Sequence, residues 1–525
     1  MIRCLFTIVF VFLFNFLNAQ LTDTNLIVFN DLHFNSEFET KLFDSINNKA
    51  EVDKINMFCF TSAGLSQEKL NLIHSKLNLV YKEASAIEIK KGKEEKAITK
   101  ISEIIHSYLF VKYRLENEFC SVFEKGEYNC VSSTAVFALV FEKLKIPYKI
   151  IELPTHVYLV AYPEGKSIKV ETTDAEFEYL IIKPEMKKEY VNYLLKTKVI
   201  SQEEYKAEGV EEIFSKNYFG ENGLNLKQLA GVQYYNKGLF LIDNADYQEA
   251  YYELAKAYYL FPSPRIKYIL YSALVQTFTD GNYYKTEYPV NLSLLTRFDS
   301  TMIGLSTLEE EFNIACKKFL VDKTDSVKFH SLYSYLESNV RNPQYLKAFS
   351  FIYHYNMMLF CKQLEYDEAA FYHAEISYDL NPNHLYVKPI FLEMLMGHFD
   401  FFDSETPANK VLEEILKYEK KYPNLVAEKQ IVELKLIVFL ENAMQLIKNK
   451  KYAEAQIVLD DFEKKFGKDQ IEKMYISQQI EDVYGKMVLY YFGKGNKAKA
   501  REMVKRGLIL FPESYDLKRK SEVLH

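Results

Sequence analysis

The chain has 525 residues, a length that exceeds a single hydrophobic core and implies two or three domains. Its net charge of −7 arises from Lys and Glu scattered along the sequence, and no basic stripe tracks a phosphate backbone, which argues against nucleic acid as a partner. Tyr and Phe are abundant while Gly and Pro are scarce, a balance that points to a globular, helix-rich protein without long disordered linkers.

The opening stretch "MIRCLFTIVFVFLFNFLNAQ" has the layout of a secretory signal peptide over residues 1–19. Arg3 supplies the positive region, Leu5 to Phe14 the apolar region, and Ala19 a small residue at the cut. The apolar run is shorter than the ~20 residues a membrane span needs. The expectation is therefore an exported protein, periplasmic or extracellular, with no membrane span after signal cleavage. Of the 6 cysteines, Cys4 leaves with the signal, and Cys59, Cys120, Cys130, Cys316 and Cys361 remain. An odd number in an oxidising compartment leaves at least one thiol unpaired. Cys59 and Cys120 could pair, and the sequence leaves this open.

Residues 20–200 mix helix and strand signals. "SQEKLNLIHSKL" (Ser66 to Leu77) and "EEKAITKISEIIHSYLFVKY" (Glu94 to Tyr113) have helical spacing, the first with a polar cap at Ser66. In "EYNCVSSTAVFALVFEKLKIP" (Glu127 to Pro147) apolar residues run right round a helix, so it must be buried on all sides. Beyond Pro147 the period becomes two: "YKIIEL" (Tyr148 to Leu153) and "HVYLVAY" (His156 to Tyr162) read as strands, "PEGK" as a turn and "SIKVE" (Ser167 to Glu171) as the returning strand. Helices feeding a small antiparallel sheet make an α+β arrangement.

Residues 201–224 read as a helical connection, and from residue 225 to 525 helices dominate. "YYNKGLFLIDNADYQEAYYELAKAYYLFP" (Tyr234 to Pro262) and "YGKMVLYYFGKGNKAKAREMVKRGLILFP" (Tyr484 to Pro512) match at Ala245/Gly495, Ala250/Ala500 and Ala257/Gly507, and both end in Phe-Pro. Weaker copies begin at Tyr366 and Tyr452, and residues 280–343 are helical without a visible repeat. These spacings resemble the tetratricopeptide repeat. Small residues let antiparallel helices approach, and Pro ends the second. The resemblance implies a concave face that binds a protein or peptide.

Cys130 stands where the buried helix begins, with Asn129 as a cap. It could be a small core residue, half of a disulfide, or a nucleophile. A helix N-terminus favours the thiolate, and a nucleophilic thiol needs a His to take its proton and a third group to hold the imidazole. The one histidine between Cys130 and the end of the sheet is His156. If "PEGK" is a four-residue loop, Glu171 lies diagonally across from His156 on the neighbouring strand. A three-residue loop would favour Asp174 instead. No HExxH pair, phosphate loop or nucleotide motif is present, so neither a metal nor a cofactor is expected.

The order Cys, His, acid on helix and successive strands resembles the transglutaminase-like superfamily, a branch of the papain-like fold. The resemblance rests on "YNCVSSTAVFALVFEKLKIPYKI", "THVYLVAY" and "IKVETTD". It implies Cys130 as nucleophile, His156 as general base and Glu171 as orienting acid, in an enzyme acting on peptide or side-chain amides by hydrolysis rather than cross-linking. The chain departs from the family in carrying Glu where Asp is common, in lacking Trp, and in placing Val131 after the cysteine. The alternative is a non-catalytic scaffold in which this domain is degenerate and the repeats bind.

Overall fold

The computed structural model describes residues 26–524, apart from 63, 154–155, 174–183, 197–198, 220–222, 280, 282, 401–406 and 467–475. The expected signal peptide lies outside the described residues, as does Asp174. The described chain is mostly helical and divides into two compact units, residues up to 346 and from 347 onward. The boundary expected at residue 224 thus falls inside the first unit. None of the described helices is long and apolar enough to cross a membrane.

The first unit opens with four helices, α1 (Glu37–Asn47), α2 (Lys54–Cys59), α3 (Gln67–Ser85) and α4 (Glu94–Leu109). Ser36, Asp53 and Ser66 cap the first three, each side chain accepting a backbone N–H of the first turn. The helix expected to reach Tyr113 stops at Leu109, because Phe110 turns extended and the amides of Val111 and Lys112 donate to the Gly126 carbonyl at 2.8 and 3.1 Å. Lys112–Tyr113 (β1) then pairs in parallel with Glu127–Tyr128 (β2), on either side of α5 (Phe119–Glu124). Gly126 has φ 71°, and a Cβ there would collide with Val111, so no other residue fits.

Helix α6 (Cys130–Lys143) is buried from Val131 to Phe141 on every face. It packs on the antiparallel sheet β3 (Tyr148–Leu153), β4 (His156–Ala161) and β5 (Ile168–Val170), ordered β3-β4-β5. After α7 (Pro184–Lys196) and α8 (Gln202–Phe219), which breaks at Gly209, come α9 (Leu226–Asp243), α10 (Tyr247–Leu260), α11 (Pro264–Gln276), α12 (Glu287–Leu295), α13 (Leu305–Cys316) and α14 (Ser326–Asn339).

These later helices join the first unit because they share buried charge with its N-terminal part. Lys256 on α10 is fully buried, with Nζ 2.9 Å from both Glu39 of α1 and Glu253. The Tyr234 hydroxyl donates to Glu39 at 2.8 Å, and Asn35 Nδ2 donates to Glu253 at 2.9 Å. Arg265 pairs with Glu152 of β3 at 2.5 Å and Arg297 with Asp31 at 2.5 Å, all four side chains at most 12% exposed. Such partners cannot separate without stranding ions in a low-dielectric interior.

Helices α9 and α10 form an antiparallel hairpin. A Cβ on Gly231 would meet Phe261 and one on Gly238 would meet Leu254, while Ala250 is fully buried. Helix α15 (Pro343–Gln363) runs across the division, and the second unit goes on with α16 (Asp367–Leu380), α17 (Val387–Asp400), α18 (Ala408–Lys421), α19 (Lys429–Lys448), α20 (Tyr452–Lys465), α21 (Ser477–Gly493), α22 (Lys497–Leu510) and α23 (Tyr515–Leu524). Four hairpins, α9/α10, α15/α16, α19/α20 and α21/α22, share one turn. Ala245, Glu365, Lys450 and Gly495 each adopt positive φ two residues before the second helix starts. The next amide in each reaches back to a carbonyl of the first helix: Asp246 to Leu241, Tyr366 to Cys361, Lys451 to Leu446 and Asn496 to Tyr491, at 2.8 to 2.9 Å. This is a Schellman-type ending, which ordinarily calls for glycine. The repeat is therefore plainer in the backbone than in the residues.

Four substitutions probe this packing. Lys450→Gly should raise the stability of the second unit by about 1 kcal/mol and Gly495→Ala should lower it similarly, because a left-handed non-glycine residue costs roughly that much; urea unfolding checks both signs. Lys256→Met should cost ~3–5 kcal/mol by stranding Glu39 and Glu253. Lys237→Met, which removes an ammonium 3.4 Å from Glu253 on a side chain that is 32% exposed, should cost less than ~1 kcal/mol on the same curves.

Candidate active site

The polar residues at the mouth of α6 have structural tasks. Asn129 Oδ1 accepts the amides of Val131 and Ser132 at 3.0 and 2.9 Å, and the Asn129 amide donates back to Ser132 Oγ at 2.9 Å. This reciprocal cap satisfies the first orphan donors of a buried helix. Asn129 Nδ2 donates to the Leu115 carbonyl at 3.1 Å, fixing the cap to the segment before α5. Ser133 Oγ donates to Thr172 Oγ1 at 3.0 Å, and Thr134 Oγ1 meets the same hydroxyl at 3.0 Å and the Val157 carbonyl at 3.1 Å. Ser133, Thr134 and Thr172 are wholly buried, so this chain clips α6 to β4 and to the residues after β5.

Cys130 is the first residue of α6 and remains partly exposed as a free thiol. The backbone amides of Val157, Val131 and Cys130 itself favour the charged form of its sulfur, and the Tyr113 hydroxyl interacts with it. Crowding around the sulfur nevertheless pushes the thiol up to about 11: loss of water outweighs the amides, and the Glu152 carboxylate adds to the rise. The helix end pulls toward thiolate, as the sequence suggested, and desolvation overrides it. The group is a thiol at neutral pH.

His156 and Glu171 meet through their side chains. The register pairs Leu159 with Val170, Val160 with Lys169 and Ala161 with Ile168. Continued outward, it sets Tyr158 opposite Glu171, which puts Glu171 diagonally across from His156. His156 Nε2 lies 2.6 Å from Glu171 Oε1, with His156 15% and Glu171 36% exposed. Thr173 Oγ1 donates to the same carboxylate oxygen at 3.3 Å, and Lys169 Nζ is 3.6 Å from the other. The Tyr158 ring stacks alongside the imidazole with centroids 6.2 Å apart.

Alternation along β4 sorts its side chains. Val157, Leu159 and Ala161 are buried beneath α6, whereas His156, Tyr158 and Val160 are half-buried on the other face. The Val157 amide, the peptide group that follows His156, favours the charged form of the Cys130 sulfur. Side chains join His156 to Glu171, and the link from this pair to Cys130 runs through the backbone of Val157. Asn129 and Val131 also line a cavity of about 280 Å³ with Glu118, Glu127 and Gln233. Among the described residues, no three His, Cys, Asp or Glu side chains are gathered as metal ligands.

Sequence reasoning missed two neighbours of the site. Tyr113 was hidden because its stretch reads as the end of a helix, and it lies in β1 instead. Thr172 sits between the two candidate acids in "ETTD", and only the pleat reveals that it faces α6 while Glu171 does not.

No described protein family and no curated protein matches the sequence. Among solved structures, the chain is similar to one titled "Structure of Naa15/Naa10 bound to HypK-THB", with 10% identity and a TM-score of 0.15. The alignment covers 87% of this chain and 66% of that one, so the chain spans just under two thirds of its length. At that TM-score the likeness bears on neither fold nor function.

Proposed function

We propose that the N-terminal part of the first unit is a transglutaminase-like, papain-like α+β domain carrying a cysteine enzyme site for peptide or side-chain amide bonds. The observation that carries the reading is the 2.6 Å contact between His156 Nε2 and Glu171, on a strand whose next amide, that of Val157, favours the charged form of the Cys130 sulfur. Glu171 fixes the imidazole through Nε2, so Nδ1 is the nitrogen that takes the thiol proton. Because the thiol is neutral, proton transfer accompanies attack, and Cys130 adds to the amide carbonyl as His156 becomes imidazolium, stabilised by Glu171. His156 then protonates the departing amine and a thioester remains. Water, activated by the same imidazole, hydrolyses it. The Cys130 amide, at the positive end of α6, is the candidate donor to the oxyanion. The protein acts after export, and the helical hairpins recruit a protein or peptide.

A second reading has its own support. A thiol raised to about 11 and a histidine on the sheet face turned from α6 suit a degenerate domain in a protein-binding scaffold. Alkylation kinetics separate the two. An enzyme site requires that iodoacetamide label Cys130 faster at pH 7 than the other thiols, and that His156→Ala or Glu171→Gln slow it by about a hundredfold. Equal slow labelling in all three proteins supports the scaffold.

The pH profile gives a sharper check. Only the thiolate alkylates, so in His156→Ala the Cys130 rate should climb about tenfold per pH unit through pH 9 and level near 11. In the wild type the imidazole should lift the rate at pH 6–8 above that line. An ordinary thiol inflection near pH 8.5 in both proteins would contradict the buried-thiol account.

A further inference from the structure

Two other thiols face each other in the first unit. Cys59 is the last residue of α2 and Cys120 the second of α5, with exposures of 0% and 4%. Each side chain is the other's hydrogen-bonding partner. The Cys120 thiol also lies 3.6 Å from the Cys59 carbonyl, and the Cys120 amide donates to Ser62 Oγ at 3.3 Å. These contacts hold Cys120 over the last turn of α2, with 61 residues of sequence separation between the two. A thiol is a weak donor and a weak acceptor, so the pair gains little polar stabilisation for its complete burial. A covalent bond between the same sulfurs would remove both polar hydrogens from the core.

We propose that Cys59 and Cys120 are an oxidation site, joined by a disulfide formed by exchange with a small-molecule disulfide as the chain folds. The Cys120 thiolate attacks one sulfur of the oxidant, expelling one small thiol and leaving a mixed disulfide on Cys120. Cys59 then gives its proton to water and displaces the second small thiol. One small disulfide is reduced to two thiols while two protein thiols lose two hydrogens and gain the S–S bond, so the electrons balance. The closed core admits neither oxidant nor reductant once folded, which places the exchange before α2 and α5 have docked and protects the product afterwards.

The consequence reaches the cap of α6. Helix α2 packs against α5, α6 and α9, and from α5 the chain runs through β2 directly to Asn129. A covalent link at Cys120 fastens the segment that presents the cap. It closes a long loop, which restricts the unfolded chain strongly.

The test refolds the full chain from denaturant in a buffer of reduced and oxidised glutathione, then quenches with acid, alkylates under denaturing conditions and maps unreduced peptides by mass spectrometry. The expected product joins the Cys59 and Cys120 peptides, is two hydrogens lighter than its reduced form, lowers the thiol titre by two and leaves Cys130 alkylated. Its unfolding midpoint should exceed that of protein refolded in dithiothreitol with no oxidant present, and Cys59→Ser should abolish the difference. A full thiol titre after refolding, a dominant bond from either cysteine to a different one, or identical midpoints with and without the bond would overturn the proposal. If Cys59→Ser does not fold, the wild-type peptide map and the two wild-type midpoints still decide it.

Discussion

The first unit is organised by one ammonium. Lys256 is sealed from water on α10, and it is tolerable there because Glu39 arrives from α1 and Glu253 from its own helix. Removing an ion from water costs several kcal/mol unless opposite charge and hydrogen bonds replace the lost solvent. The Tyr234 hydroxyl and Asn35 amide complete that replacement. A helical hairpin carrying such a residue cannot stand apart from the N-terminal helices. This explains why α9 to α14 belong with the α+β part, and why the surroundings of Cys130 are assembled partly by residues far along the chain, Gln233 and Arg265 among them.

At Cys130 two opposing effects meet. Converging amides and the end of a buried helix favour negative charge on sulfur, while the same burial withdraws the water that would solvate it. Desolvation wins. Under the enzyme reading, such a thiol would be held neutral and would need a neighbouring base to become a nucleophile. The 2.6 Å contact between His156 and Glu171 sets the orientation of the imidazole by a carboxylate rather than by solvent.

Much of this was legible in the residues. Asn129 as cap, the all-round apolar run from Val131 to Phe141 and the period-two strands after Pro147 each follow from a local rule, and the geometry obeys them. The diagonal relation of His156 to Glu171 also follows from loop length and the pleat alone. The end of α4 was not legible, because "YLFVKY" keeps its helical spacing while Gly126, far ahead in sequence, accepts the amides of Val111 and Lys112 just where β1 begins. The division of the chain was hidden for a related reason. Charged residues such as Lys256 and Arg265 read as solvated until their partners, more than a hundred residues away, are known. Pairing partners of buried ions have no local signature.

The shared turn of the four hairpins has a consequence for how this sequence can change. Its shape is carried by two backbone hydrogen bonds and one positive dihedral, and Ala, Glu, Lys and Gly all occupy the critical position. Side chains there can drift freely while the angle between helices is inherited through the main chain. An array built this way can lose its sequence periodicity and keep its geometry, so descent within it is better traced by matching turns than by matching letters.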